Sequence, residues 1–260
     1  IGRWETLKQA SIEEDFQGTK FSPKTALGAF VTRSEGIRPY DNGTYLTLYV
    51  DPSRTSRKSI SHANQDLYVG DSWNNPVGNL NDALLYFSMK EGKDGGATAK
   101  KKGRILVKEG ETNTRGNYMA GNLRSSSFIM VNNVEVYGGY PKALKGTEET
   151  GRDPIKYPTH VTGDIADDKY VNNVHHLVRF GDVQNAVFDG FRLYAGNASS
   201  TTISTASSQH GGGVIVYTTS NESTCTGNIL RNCVIANCTA LQGAGIYVTG
   251  LGQDLANDSH

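Results

Sequence analysis

No apolar stretch reaches the length of about 18 residues that a helical membrane span requires, so no helix of this sequence is expected to cross a bilayer. Neither sign of charge is in excess: 26 basic and 26 acidic residues cancel. That balance argues against nucleic acid as a partner, which needs a basic face, and leaves a neutral glycan or a protein open. Methionine and cysteine are scarce, at three each. Cys225, Cys233 and Cys238 stand close together without CxxC spacing, so metal binding explains them poorly. Two other roles stay open for them: small apolar side chains lining an interior, or one disulfide joining Cys225 to Cys233 or Cys238 in an oxidising compartment. The chain begins at Ile1, without methionine, secretion leader or terminal lipid-accepting cysteine, which leads to the expectation of a mature or trimmed product. Helical crossovers are largely missing, which removes the doubly wound and barrel α/β folds.

What is present points to many tight turns and short strands. The chain of 260 residues holds 30 glycines and 13 tyrosines, with frequent Asn, Ser and Thr. Its most informative feature is a motif that returns. Asp189-Gly190-Phe191-Arg192-Leu193-Tyr194-Ala195-Gly196-Asn197-Ala198 is answered by Arg231-Asn232-Cys233-Val234-Ile235-Ala236-Asn237-Cys238-Thr239-Ala240, and Gly211-Gly212-Gly213-Val214-Ile215-Val216 by Gly243-Ala244-Gly245-Ile246-Tyr247-Val248. The first halves are offset by 42 positions and the second by 32. The difference is a length change in the Ser/Thr-rich loop between them, where an insertion costs little. A stack of short strands produces such self-similarity, because each coil contacts only its neighbours.

Residues 1–65 differ in texture from the rest. They carry Glu13-Glu14-Asp15 and the basic Arg54, Arg57 and Lys58, and one alternating strand-like run at 45–50. Asp41-Asn42-Gly43 is a turn signal before that run, and residues 26–31 are a candidate hairpin partner. From Asp66 the pattern becomes strand, Ser72-Trp73 turn and short helix, with Asn79 as N-cap and Leu80, Ala83, Leu84 and Phe87 on one face. Such a helix would cover a core otherwise open to water, as a cap. Strands are expected at 66–69, 105–107, 128–131, 134–137, 176–180 and 186–188, besides the repeats. The Lys100-Lys101-Lys102 run reads as a solvated loop more readily than as a polyanion patch.

The succession of these elements over residues 66–250 resembles a bacterial group of secreted right-handed parallel β-helix proteins of the pectate-lyase-like solenoid class, similar to polymorphic outer-membrane-protein passenger repeats. The residues that carry the resemblance are Ser72-Trp73, Ala83-Leu84, the 105–110 strand ending in Gly110, Phe128, Tyr137-Gly138-Gly139-Tyr140, Arg152-Asp153, Thr159 with Gly163-Asp164, Asn172 with His176, Asp189-Gly190-Phe191, Gly196-Asn197-Ala198 and Gly211-Gly212-Gly213. The resemblance implies an all-β fold, a right-handed parallel β-helix solenoid over residues 66–260 with the helix as its N-terminal cap; residues 1–65 lie outside the resemblance and read as a small leading segment or a small module. It also implies an extracellular or cell-surface location. The stack is expected to continue past His260 or to be covered there by a partner chain, since an open end exposes strand edges.

Enzymes with this fold place carboxylates or a basic residue on an exposed sheet, and the lyases use calcium. The best local counterparts are Asp164, Asp167 and Asp168, followed by His175 and His176; Ca²⁺ is the one cofactor they suggest. Asp-rich turns also bond their own backbone, and strand alternation would send one histidine inward and the other outward. Asp189 answers to Arg231 in the repeat, and a position that exchanges sign reads as a turn; Asp182 reads as a turn too. Ca²⁺-binding nonapeptide repeats are absent. Tyr40, Tyr45, Tyr49, Tyr68, Trp73, Tyr86, Tyr118, Tyr137, Tyr140 and Tyr194 are either glycan-stacking platforms or strand formers. The Asn-x-Ser/Thr triplets at Asn197, Asn221, Asn237 and Asn257 matter only in a glycosylating pathway. No catalytic, cofactor-binding or metal-binding residue is assigned. The expectation is a non-catalytic secreted or cell-surface adhesion, binding or scaffold protein of a bacterial envelope, whose partner is a protein or glycan. A polysaccharide lyase or glycoside hydrolase acting on an extended glycan, or a structural subunit of a larger outer-membrane assembly, are the alternatives.

Overall fold

The computed structural model describes residues 37–54, 69–92, 96–113, 124–165, 172–199, 209–220 and 222–249. The chain divides into residues 1–36 and 37–260, and every described residue belongs to the second unit. The described residues form an all-β structure of mostly parallel sheets with one helix, and none of its helices is long and apolar enough to cross a membrane.

Strand β1 (Tyr40–Asp41) pairs antiparallel with β2 (Tyr45–Val50). The turn between them is the one that the Asp-Asn-Gly signal predicts: Gly43 has a left-handed φ of 89°, and Asn42 Oδ1 accepts from the Thr44 and Tyr45 N–H groups. The helix α1 (Leu80–Met89) comes next. Asn79 caps it by accepting from the Asn81 N–H at 2.7 Å, and Leu80, Ala83, Leu84 and Phe87 are all buried. Each large member of that face contributes roughly 1.5–3 kcal/mol by leaving water.

The chain then passes four times through three sheets in a fixed order. The first pass is β3 (Lys102–Lys108), β4 (Gly110–Asn113) and β5 (Phe128–Ile129). The second is β6 (Val134–Tyr140), β7 (Thr159–Thr162) and β8 (Val178–Gly181). The third is β9 (Val187–Asp189), β10 (Phe191–Tyr194), the short β11 (Asn197–Ala198) and β12 (Val214–Tyr217). The fourth is β13 (Ile229–Arg231), β14 (Val234–Ala236), β15 (Thr239–Ala240) and β16 (Ile246–Val248). The first sheet has the order β1-β2-β3-β6-β9-β13, the second β14-β10-β7-β4 and the third β16-β12-β8-β5; β11 and β15 form a separate pair. The run 45–50, read from sequence as part of a leading segment, is a member of the first sheet, parallel to β3 with Leu48 beside Ile105. Residues 26–31 and 66–68 lie outside the described residues.

The internal repeat is a register. Val187, Arg192 and Asn197 lie beside Ile229, Val234 and Thr239, an offset of 42 positions (187 to 229, 192 to 234, 197 to 239). Val214 lies beside Ile246, 32 positions on. Like residues recur because stacked strands place them in one column, so that each column feeds one core or one turn. Phe188 and Phe191 show the core side of this, stacked at 4.2 Å between ring centroids. The turns show the other side. Asn133, Asn185 and Gly227 stand just before β6, β9 and β13 with left-handed φ of 57°, 55° and 68°, a conformation that Asn and Gly tolerate best. Successive turns bond to one another, Asn133 N–H to the Gln184 carbonyl and Asn185 N–H to the Thr226 carbonyl, both at 3.0 Å. The resulting core is continuous, running from Leu48 and Phe87 at one end through Phe128, Val136 and Leu193 to Val214.

Candidate functional site

In a strand, alternate residues face opposite sides, and on the second sheet the inward row is Val161 and Leu193, both fully buried. The outward rows bring together residues that are far apart in sequence. Glu111, His160, Arg192 and Val234 lie side by side across β4, β7, β10 and β14, and Thr162 lies beside Tyr194. Glu111 is exposed, while His160, Arg192 and Tyr194 are half-buried. The Tyr194 hydroxyl donates to a Glu111 carboxylate oxygen, and the His160 ring meets the Tyr194 ring edge-on at 6.0 Å. Asp164 lies just past β7 and donates its backbone N–H to the Thr162 hydroxyl at 3.1 Å. Burial, the bond to Glu111 and the charges of Glu111 and Asp164 push the Tyr194 phenol up to about 12, against a Thr162 hydrogen bond that acts the other way. Tyr194 is therefore a hydrogen-bond donor at neutral pH and not a base. The strip offers carboxylate and phenol oxygens as acceptors, a guanidinium as donor and two ring edges, which together suit a ligand rich in hydroxyls.

The outer face of the first sheet carries more charge, but its charges are spoken for. Asp189, 1 % exposed, is the last residue of β9 and sits beside Arg231 in register. Its carboxylate accepts from Arg152 at 2.5 Å, Arg231 at 2.6 Å and Asn232 at 3.0 Å. Burial alone would raise its carboxyl; the Asn232, Arg152 and Arg231 hydrogen bonds, with the guanidinium charge of Arg152, outweigh burial and hold it below the usual carboxylate range. The sign exchange between Asp189 and Arg231 is thus a cross-strand ion pair rather than a mark of a turn. Lys102 bonds Glu135 at 2.8 Å, Glu135 accepts from the Tyr137 hydroxyl at 2.9 Å, and Arg152 lies over the Tyr137 ring. Tyr49, Trp73, Leu106 and Tyr140 form a second apolar cluster with Leu144 against it, and the Trp73 indole N–H donates to the Glu148 carbonyl at 2.6 Å. Tyr49, Trp73, Tyr86 and Tyr140 are therefore packing residues, Tyr40 is exposed, Tyr45 and Tyr137 are half-buried, and Tyr68 and Tyr118 lie outside the described residues.

His175 and His176 precede β8, and both are buried, 8 % and 2 % exposed, so neither is the outward-facing residue that strand alternation predicts. His176 Nδ1 contacts the Gly211 carbonyl at 2.8 Å, whereas His175 Nε2 is buried without a hydrogen-bond partner. Burial, and then the charges of Arg124, His176 and Arg179, push the His175 imidazole down to about 4. Asp167 and Asp168 lie outside the described residues, and among the described residues no group of His, Cys, Asp and Glu could hold a metal ion. Two of the three clustered lysines are paired, Lys101 with Asp41 and Lys102 with Glu135. Asp182 is a turn residue with left-handed φ of 51°, accepting from the Thr219 N–H at 2.8 Å. Of the glycosylation triplets, Asn237 is exposed and Asn197 accepts from the Ser199 N–H at 3.1 Å; Asn221 and Asn257 lie outside the described residues.

The fourth pass supplies the terminal strand of every parallel ladder. Its Ile229, Val234, Leu241, Ile246 and Val248 are exposed, Val248 to 66 %. Cys225, Cys233 and Cys238 are free thiols, half-buried against the core, and burial raises the thiols of Cys233 and Cys238. They act as small apolar side chains, one of the two roles their spacing allowed. No protein-family model matches the chain, and neither a curated protein nor a solved structure matches it significantly.

Proposed function

We propose that the chain is a right-handed parallel β-helix of a bacterial cell surface or extracellular space, and that it serves as a non-catalytic binding and adhesion scaffold for an extended glycan. The fixed rotation through three parallel sheets supports the solenoid, because a coil that returns to the same sheet once per turn requires that order. One observation carries the binding role: Glu111, His160, Arg192 and Tyr194 come from three successive strands onto one face of the second sheet. A sugar polymer running across strands would meet that face as a repeating row of donors and acceptors. Chemistry is not part of the reading, since Tyr194 is committed to Glu111 and kept protonated and no nucleophile, base and orienting group meet there among the described residues.

The test is a titration of the full chain with neutral and uronate-containing oligosaccharides, followed by calorimetry and by assay for new reducing ends or unsaturated products. Binding without product, weakened roughly tenfold in both Arg192→Ala and Tyr194→Phe, is the expected result. Product formation that disappears in Glu111→Gln would replace this reading with a hydrolase or lyase; absence of binding to every sugar class would end it. A second reading, a structural subunit of a larger outer-membrane assembly, draws on the exposed apolar side chains of β13, β14 and β16, which a partner chain could cover by strand addition.

A further inference from the structure

A buried ammonium and a buried carboxylate meet on the covered outer face of the first sheet, away from the glycan face. Val50 lies beside Val107 in the ladder of β2 and β3, so the residues that follow, Asp51 just past β2 and Lys108 at the end of β3, are neighbours. Lys108 Nζ stands 3.5 Å from Asp51 Oδ2, with side chains 5 % and 12 % exposed. The Trp73 ring lies over Nζ at 5.2 Å and packs in turn on Tyr49 and Tyr140. Asp51 is the only polar partner of the Lys108 ammonium among the described residues, so three donors face one carboxylate oxygen and an aromatic surface. A buried charge pair with so few hydrogen bonds is poorly compensated.

The carboxylate is held differently on its two sides. Oδ1 accepts from the Ser53 N–H at 3.0 Å and from the Ser53 hydroxyl at 2.6 Å, while Oδ2 faces the lysine. Donors on one oxygen and an amine beside the other are the parts of an acyl-transfer centre: the donors stabilise charge that develops on the oxygen they hold, and the amine is already in place.

We propose that Lys108 and Asp51 join in an intramolecular amide bond. The ammonium passes one proton to Oδ2, and the amine attacks Cγ while Ser53 holds the negative charge on Oδ1. Nζ then gives a second proton to Oδ2, the Cγ–Oδ2 bond breaks and water leaves, so charge and atoms balance with no co-reactant. The bond ties the end of β2 to the end of β3 and removes two buried charges. Pro52 makes the product distinctive. Its ring nitrogen carries no hydrogen, so loss of water from Asp51 by cyclisation onto the next backbone N–H is closed.

Intact mass of the denatured full chain decides the matter. The expected mass is about 18 Da below that of the sequence, one water lost, and a protease digest yields the segments around Asp51 and Lys108 as a single branched peptide. Lys108→Met and Asp51→Ala each restore the full mass of their own sequence. A wild-type chain at full mass overturns the proposal, as does a deficit located at any other pair of residues. If either variant fails to fold, the wild-type digest gives the answer alone.

Discussion

Acidification should loosen this protein through His175, and its surroundings set the size of the effect. The ring is 8 % exposed, its Nε2 has no hydrogen-bond partner, and the basic groups facing it are Arg124, His176 and Arg179. Folding pushes its imidazole from 6.5 down to about 4, so between those values the unfolded chain binds a proton that the folded chain refuses. The contribution to stability is complete above pH 6.5 and is lost as the pH falls toward 4. The loss accumulates to roughly 3 kcal/mol, at a slope of at most about 1.4 kcal/mol per pH unit. Urea unfolding of wild type and His175→Gln at a series of pH values between 7 and 4 isolates this contribution, because carboxylate titration is common to both chains. The variant should be less sensitive to acid by about 3 kcal/mol over the interval. Equal acid sensitivity in the two chains would refute the reasoning and place the imidazole in contact with water.

Two further expectations concern the first sheet. Asp189→Ala strips the shared acceptor from Arg152, Arg231 and Asn232; because the Arg231 side chain is 53 % exposed and can rehydrate, the loss should be near the lower end for a broken buried pair, about 3 kcal/mol. Scanning calorimetry would register it as a fall in Tm of roughly 6–12 °C, and a fall of under about 2 °C would mean that the ion pairs are replaced by water without cost. Gly103→Ala would put a Cβ 2.8 Å from Phe87 Cε1 and 3.0 Å from Val134 Cγ2. Phe87 is fully buried on α1, so overpacking should cost about 1–3 kcal/mol, seen as a lower denaturation midpoint at an unchanged m value. An unchanged midpoint would show that the helix lifts freely from the sheet.

The repeat, the turns and the helix were legible because each is a local or columnar signal. Asn79 and its apolar face declare α1 within one turn, and the offsets of 42 and 32 become strand register directly. The leading strand was harder to place. Among the described residues between β2 and β3 there is α1 and no strand of the second or third sheet, so no described repeat ties residues 45–50 to the later strands. The row on the second sheet was hidden for a related reason. Glu111 to His160 is 49 positions, His160 to Arg192 is 32 and Arg192 to Val234 is 42, and a column whose spacing changes at every step has no period to detect. Asp189 and Arg231 were visible as a pair but misassigned, since opposite charges at one repeat position describe an ion pair across strands as well as a variable turn. Strand alternation predicts an outward histidine, but His175 and His176 precede the strand and both are buried.

The two outward sheet faces with the most polar residues differ in what covers them, and that difference points to the second. On the first sheet, Trp73 and Leu144 build an apolar layer against Tyr49, Leu106 and Tyr140, Arg104 is tied to Glu149, and Arg152 reaches across to Asp189. Each of those contacts joins residues 141–158, which connect β6 to β7, or residues 70–77, to the sheet. A ligand there would have to displace a packed layer and break buried ion pairs at several kcal/mol each. On the second sheet the connection meets the outward row in a weak contact, Arg192 to the Ile155 carbonyl at 3.5 Å, and Ile155 itself is 84 % exposed. Glu111, His160, Arg192 and Tyr194 therefore keep access to water, and a polyhydroxylated ligand could exchange water for its own hydroxyls there at little cost. Charge density alone would have selected the first sheet; availability selects the second.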